Sequence, residues 1–241
     1  KYVSAEERFS SPVRRKGRFM DDLTENYRRI RAELDRGNNF GEKITLLAAT
    51  KFVDADRINE AIALGVTAIG ENRAQEFRDK FSLYAPVEKH FIGTLQENKL
   101  KYVVGKADCI DSVSSVSLAQ AIDDFAGRLG VVQKVMLEIN AGDEKSKTGA
   151  SLKDLPSLCR SVSALNNIEI TGVMAMLPET DDEELLAALA DETRDAFDGL
   201  KREHDGIRTL SMGMTGDYRL AVRHGSNMVR IGTGLFGKRQ G

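Results

Sequence analysis

The sequence predicts a single (β/α)8 barrel, a TIM-type α/β fold, and three observations carry that expectation. The chain has 241 residues, within the roughly 200–250 that one such barrel occupies. From Met20 onward, eight short apolar runs alternate with stretches of helical period, the pattern of parallel strands joined by crossover helices. No Pro/Gly/Ser-rich linker or internal repeat interrupts Met20 to Gly237, so residues 20–241 are expected to form one domain. An open doubly wound sheet is the alternative arrangement of the same elements.

The elements follow in order. Strands are expected at Ile44 to Ala49, Val66 to Gly70, Val87 to Ile92, Cys109 to Ser112, Val135 to Asn140, Glu169 to Ala175, Thr209 to Met212 and Met228 to Ile231. Each run is too short to be a confident helix, and near-continuous apolar character suits strands covered on both faces. Helices are expected at Asp21 to Arg36, Asp54 to Leu64, Arg73 to Tyr84, Gln96 to Val104, Val116 to Leu129, Leu152 to Ala164, Asp181 to His204 and Asp217 to His224. Asp181-Asp182-Glu183-Glu184 resembles a metal-binding cluster only superficially, because consecutive helical residues point to different faces. Carboxylates in a first turn complement the helix dipole, so this segment reads as a helix start.

Composition narrows the function classes. With 41% hydrophobic residues the chain can bury a large core, and 30% charged residues with a formal net charge of -2 give no strong field. Nucleic-acid binding is not indicated. Cys109 and Cys159 have neither a C-x-x-C pattern nor spacing suited to zinc, so both are expected to be reduced core thiols in a cytoplasmic compartment. No apolar stretch approaches the roughly 18–20 residues of a membrane span, and no signal-peptide core is present. Lys1 to Phe19, with Arg14-Arg15-Lys16, Arg18 and few apolar residues, is expected to be a disordered extension outside the barrel.

In a barrel, functional groups gather at the C-terminal ends of the strands. Lys51 stands just beyond the first. A lysine at the end of a buried strand can snorkel, with its stem covered and its ammonium in water. It can also be a Schiff-base amine, since a low dielectric favours the neutral nucleophile. At the last two strands, Leu210-Ser211-Met212-Gly213-Met214-Thr215 and Val229-Arg230-Ile231-Gly232-Thr233-Gly234 place a hydroxyl, an arginine and several glycines where barrels commonly bind phosphate. An amine for an aldehyde and a cup for a phosphate together fit pyridoxal 5'-phosphate (PLP). An arginine such as Arg230 beside the pyridine nitrogen would disfavour ring protonation and weaken the ring as an electron sink.

At these residues the chain resembles the pyridoxal phosphate homeostasis protein family, the PROSC-like or YggS-like proteins. The resemblance rests on Ala48-Ala49-Thr50-Lys51, Gly70-Glu71-Asn72 with Gln75-Glu76, His90-Phe91-Ile92-Gly93 with Leu95-Gln96 and Asn98-Lys99, Ser146-Lys147-Thr148-Gly149, Leu210-Ser211-Met212-Gly213-Met214, and Met228-Val229-Arg230-Ile231-Gly232-Thr233. It implies the barrel of alanine racemase (PLP fold type III) without that enzyme's C-terminal β-domain, and PLP held as a reversible aldimine on Lys51. It also implies phosphate contacts from Ser211, Gly232 and Thr233. Arg230 would face the pyridine nitrogen, a phosphate contact being the alternative, and Asn72 would lie beside the ring or its O3' oxygen. His90, two residues before its strand end, is left out of the site. The chain departs from the family after Met-Gly-Met, where Thr215-Gly216-Asp217 replaces a serine and an acidic residue.

The resemblance implies a carrier that buffers PLP or delivers it to apo PLP-dependent enzymes, without catalytic turnover of its own. No metal is expected, and a barrel without the β-domain, an obvious dimerisation device, is expected to be a monomer. The alternative is an amino-acid racemase. Racemisation needs bases on both faces of the substrate carbanion, and no tyrosine of this sequence is an obvious second base.

Overall fold

Eight parallel strands pair in chain order and close on themselves in the computed structural model, which describes residues 16–142, 144 and 148–237. They are β1 (Thr45–Ala49), β2 (Ala68–Glu71), β3 (Glu88–Phe91), β4 (Cys109–Val113), β5 (Gln133–Asn140), β6 (Ile168–Met176), β7 (Thr209–Met212) and β8 (Met228–Ile231). Closure is made by β1 with β8, Thr45 to Ala48 lying opposite Met228 to Ile231. The barrel is therefore the arrangement adopted, and the open sheet is not.

The helices are α1 (Lys16–Leu34), α2 (Ala55–Ala63), α3 (Ala74–Lys80), α4 (Leu100–Val103), α5 (Val116–Leu129), α6 (Leu155–Ser163), α7 (Glu183–Glu203), α8 (Tyr218–Arg223) and α9 (Thr233–Phe236). Local chemistry sets their ends. Asp54 accepts from Arg57 N at the start of α2, and Ser115 from Leu118 N at the start of α5. Asp182 accepts from Leu185 N at 3.0 Å, with Glu183 and Glu184 in the first turn of α7, so the acidic run is a helix start.

Several boundaries differ from the sequence expectation. Helix α1 begins at Lys16, five residues before Asp21, because Arg18 and Met20 favour helix and no proline intervenes. The expected extension thus loses its last four residues to α1, and residues 1–15 lie outside the described residues. Helix α3 stops at Lys80 and tightens into a 3-10 turn over Phe81–Leu83. Helix α6 starts three residues late because Ser151 and Asp154 form their own turn, Asp154 N donating to Ser151 Oγ at 3.2 Å. Helix α9 was not expected at all.

Successive strand residues point to opposite faces, and the core divides accordingly. Val135, Leu137 and Ile139 of β5, Val173 and Ala175 of β6, and Leu210 and Met212 of β7 pack outward against the helices. Val229 and Ile231 of β8 do the same beside α1 and α2. The intervening Leu47, Ala68, Cys109, Met136, Met174 and Met228 fill the barrel, with Ile92 packed on them. By the same alternation His90, Asp111, Ser211 and Arg230 share the inner faces of their strands. Each is buried. A polar set inside an apolar barrel must find partners within it, and those partners shape the site. No described helix is long and apolar enough to cross a membrane.

Candidate cofactor site

Strand β1 ends in a tight turn. Val53 N donates to Thr50 O at 2.9 Å, which places Lys51 and Phe52 at its centre. Phe52 has φ 63, the left-handed conformation a type II turn usually gives to glycine. Half-buried Lys51 lines a cavity of about 620 Å³ at the C-terminal mouth of the barrel, and its Nζ lies 5.2 Å from the centre of the exposed Phe52 ring. Asn72, just past β2, and Ile92, just past β3, form another part of the wall.

Gly93 makes the Asn72 wall possible. A Cβ built there would overlap the Asn72 carbonyl oxygen, so only glycine lets the two strand ends approach. Gly93→Ala is expected to destabilise the fold by about 1–3 kcal/mol, the usual cost of overpacking. A urea melt checks the cost, and a variant as stable as the parent would show that the strand ends can part freely.

A further part of the wall comes from β7 and from β8, the strand paired with β1. Gly213 has φ +98, and a Cβ there would lie 2.7 Å from Ala221 Cβ, so the chain can turn only on glycine before Met214, Thr215 and Gly216 line the cavity. Gly232 and Thr233 line it from the β8 side, where α9 begins. Thr233 Oγ1 lies 3.4 Å from Thr215 Oγ1, which in turn accepts from Gly234 N at 3.2 Å. Two hydroxyls and a run of glycines therefore converge at one end.

Arg230 lines the cavity from deeper in the barrel. Its Nη1 donates to Ser211 O at 2.8 Å and Ser211 Oγ at 2.9 Å, and its Nη2 to Ala175 O at 3.0 Å. Burial lowers its pKa from the ordinary arginine value, while Asp111, Asp217 and Glu138 act in the opposite direction. Among the described residues the charged ones of the wall are Lys51, Asp54, Arg57 and Arg230, three cations to one carboxylate. That balance favours an anion.

Of the sequence-predicted residues, Lys51, Asn72, Arg230, Gly232 and Thr233 meet at this cavity, and Ser211 does not. Ser211 is fully buried on the inner face of β7, where its hydroxyl is taken by Arg230. The hydroxyl that reaches the cavity from this strand end is Thr215, which the sequence reading passed over although it follows the Met-Gly-Met turn. His90 lies inside the barrel away from the wall, with Nδ1 2.8 Å from Asp111 Oδ1. Ligand-type atoms of His90, Cys109 and Asp111 lie within 4.8 Å of one another, a grouping invisible to residue spacing. Both cysteines are buried free thiols, and burial pushes Cys109 up to about 12.

Residues 20–240 match the family model of the alanine racemase N-terminal domain. A pyridoxal phosphate homeostasis protein of Aquifex aeolicus is 36% identical over 215 residues, covering 88% of this chain and 94% of the relative. Its counterpart in Deinococcus radiodurans is 40% identical over 206 residues, covering 85% and 94%. The solved structure of PipY from Synechococcus elongatus PCC7942 with PLP bound superposes with a TM-score of 0.77 at 31% identity, covering 89% of this chain and all of that one. An alanine racemase of Clostridium difficile shares the fold at a TM-score of 0.73 and 18% identity, this chain spanning 60% of its length.

Proposed function

The chain belongs to the pyridoxal phosphate homeostasis protein family, and on that premise we propose that it binds PLP in this cavity and buffers or delivers it. The observation that carries the reading is that one lysine, two threonines whose hydroxyls lie 3.4 Å apart, a glycine-rich turn and a buried arginine line a single cavity. When bound, PLP supplies an aldehyde, a phosphate dianion and an electron-accepting ring. Lys51 provides the amine for the aldehyde. Thr215, Gly232 and Thr233 hold the phosphate, and Asn72 and Ile92 flank the ring.

Arg230 is fixed by carbonyls inside the barrel rather than at the threonine end, so it is assigned to the pyridine nitrogen. A guanidinium there repels a proton on that nitrogen and quiets the ring. Ser211 acts by holding Arg230. Among the described residues no tyrosine lines the cavity, and Tyr218 is committed to Glu33 at 2.6 Å, which supports a carrier over a racemase. The recipients on this reading are apo PLP-dependent enzymes of the cytoplasm, and the carrier acts as a monomer.

The test is transfer: loaded protein mixed with an apo PLP-dependent enzyme should restore its activity faster than free release of PLP allows. α-Proton exchange of L-amino acids in deuterated water, with racemisation, would replace the carrier reading by an enzymatic one. The phosphate assignment has its own test. Thr215→Val is expected to raise the Kd for PLP about tenfold, the worth of one hydrogen bond to a charged group, measured by absorbance titration. An unchanged Kd would remove Thr215 from the site.

A further inference from the structure

We propose that Glu71, Glu76 and Lys80, an ion cluster behind the cavity, are positioning residues that hold the Lys51 amine where the cofactor aldehyde must meet it; this deepens the PLP reading and rests on it. The turn carrying Lys51 is gripped at three points, one before it and two after. The Thr50 hydroxyl proton is shared between Glu71 Oε2 at 3.2 Å and Gly70 O at 3.1 Å, Phe52 N donates to Glu76 Oε2 at 3.1 Å, and Lys80 Nζ donates to Val53 O at 2.9 Å. Lys80 also joins the two carboxylates, lying 2.7 Å from Glu76 Oε2 and 3.6 Å from Glu71 Oε2. The other oxygen of Glu71 accepts from Asn72 N at 2.8 Å and Arg73 N at 3.2 Å, so the same cluster holds the neighbouring wall.

Two features mark this as more than a stray ion pair. The Glu71 side chain is 1% exposed, and burying a carboxylate is costly unless it is paired and hydrogen-bonded, which here ties it to Lys80, to Thr50 and to the Asn72 and Arg73 amides. The turn itself is strained: an aromatic residue at positive φ persists only where its surroundings over-determine it. The grip supplies that restraint. If it is released, Phe52 can relax toward negative φ, which re-aims the peptide units flanking Lys51. The lysine stem has four rotatable bonds, so a fixed backbone is what confines its amine. None of the three charged groups lines the cavity.

The experiment compares PLP with pyridoxine 5'-phosphate, which carries the same phosphate and ring but an alcohol in place of the aldehyde. Lys80→Met and Glu76→Gln are expected to raise the Kd for PLP about tenfold, the loss of a charge-assisted hydrogen bond, while the alcohol analogue binds as it does to the parent. Lys80→Arg should recover most of the PLP affinity. Equal weakening of both ligands, or of neither, overturns the proposal, since a purely structural cluster would not distinguish them. Should Lys80→Met fail to fold, Thr50→Val deletes one grip point by a near-isosteric change and carries the same comparison. Borohydride fixation of PLP on Lys51 in the parent separates the two readings. Its absence ends the PLP reading together with this one, whereas its presence with indistinguishable variants ends this one alone.

Discussion

Replacing Lys51 with alanine is expected to abolish the yellow colour of the PLP-loaded protein and its fixation by borohydride, and to raise the Kd for PLP about 100-fold or more, some 2.7 kcal/mol. The covalent link is lost while the phosphate cup and Arg230 remain, so weak non-covalent binding should persist. Folding should be nearly unaffected. Lys51 is half-buried at a cavity mouth, its Nζ against the exposed Phe52 ring, and substitutions at such positions usually fall within about 0.5 kcal/mol. Lys51→Arg sharpens the result, because it keeps a cation at the same place but cannot condense with an aldehyde under these conditions. Both variants should therefore lose the colour, separating covalent chemistry from charge. A Lys51→Ala protein that stays yellow and is still fixed by borohydride would place the cofactor on another amine and end the central reading.

The parts of this site that were legible in the sequence are those that follow from position along one strand. A lysine after β1, glycines after β3 and β7, and Gly232-Thr233 after β8 all stand at C-terminal ends, where the barrel puts its openings. What was hidden depends on rotation about a strand and on contacts across the barrel. Ser211 and Thr215 are both hydroxyls near the end of β7, and only the turn at Gly213 decides that the second reaches the cavity while the first faces inward to Arg230. The grip joins Thr50, Phe52 and Val53 to residues 21, 24 and 27 positions later, distances that no local period encodes. The same holds for His90. Its strand position marked it as structural, yet its partner Asp111 lies on the next strand, two residues beyond the Cys109 that stands opposite it.

That pair yields the largest expected change in stability. His90 and Asp111 are 1% and 0% exposed, and Nδ1 stands 2.8 Å and 3.0 Å from the two carboxylate oxygens. Glu88 Oε1 lies 3.4 Å from Nε2 on the other side. Burial alone would lower the His90 pKa, but the charge and hydrogen bond of Asp111, with Cys109 and Glu88, outweigh it, and the imidazole is held well above its ordinary value. A raised folded pKa means stabilisation that is complete below the unfolded value of about 6.5 and is lost as pH rises through the folded value.

Asp111→Ala removes the main counter-charge and leaves the imidazole buried, which is expected to cost about 3–5 kcal/mol where His90 is charged. Without Asp111 the burial penalty favours the neutral ring, so the cost should be greatest near pH 6 and smaller near pH 9, where the parent has itself begun to lose the contribution. Urea melts of parent and variant at the two pH values measure the difference. Equal destabilisation at both would show that the pair is a neutral hydrogen bond, and that the barrel interior carries no buried imidazolium. Lys51, outside this pair, should still be fixed to PLP by borohydride in the fraction that remains folded, which ties the interior pair to the stability of the barrel and leaves the chemistry to its mouth.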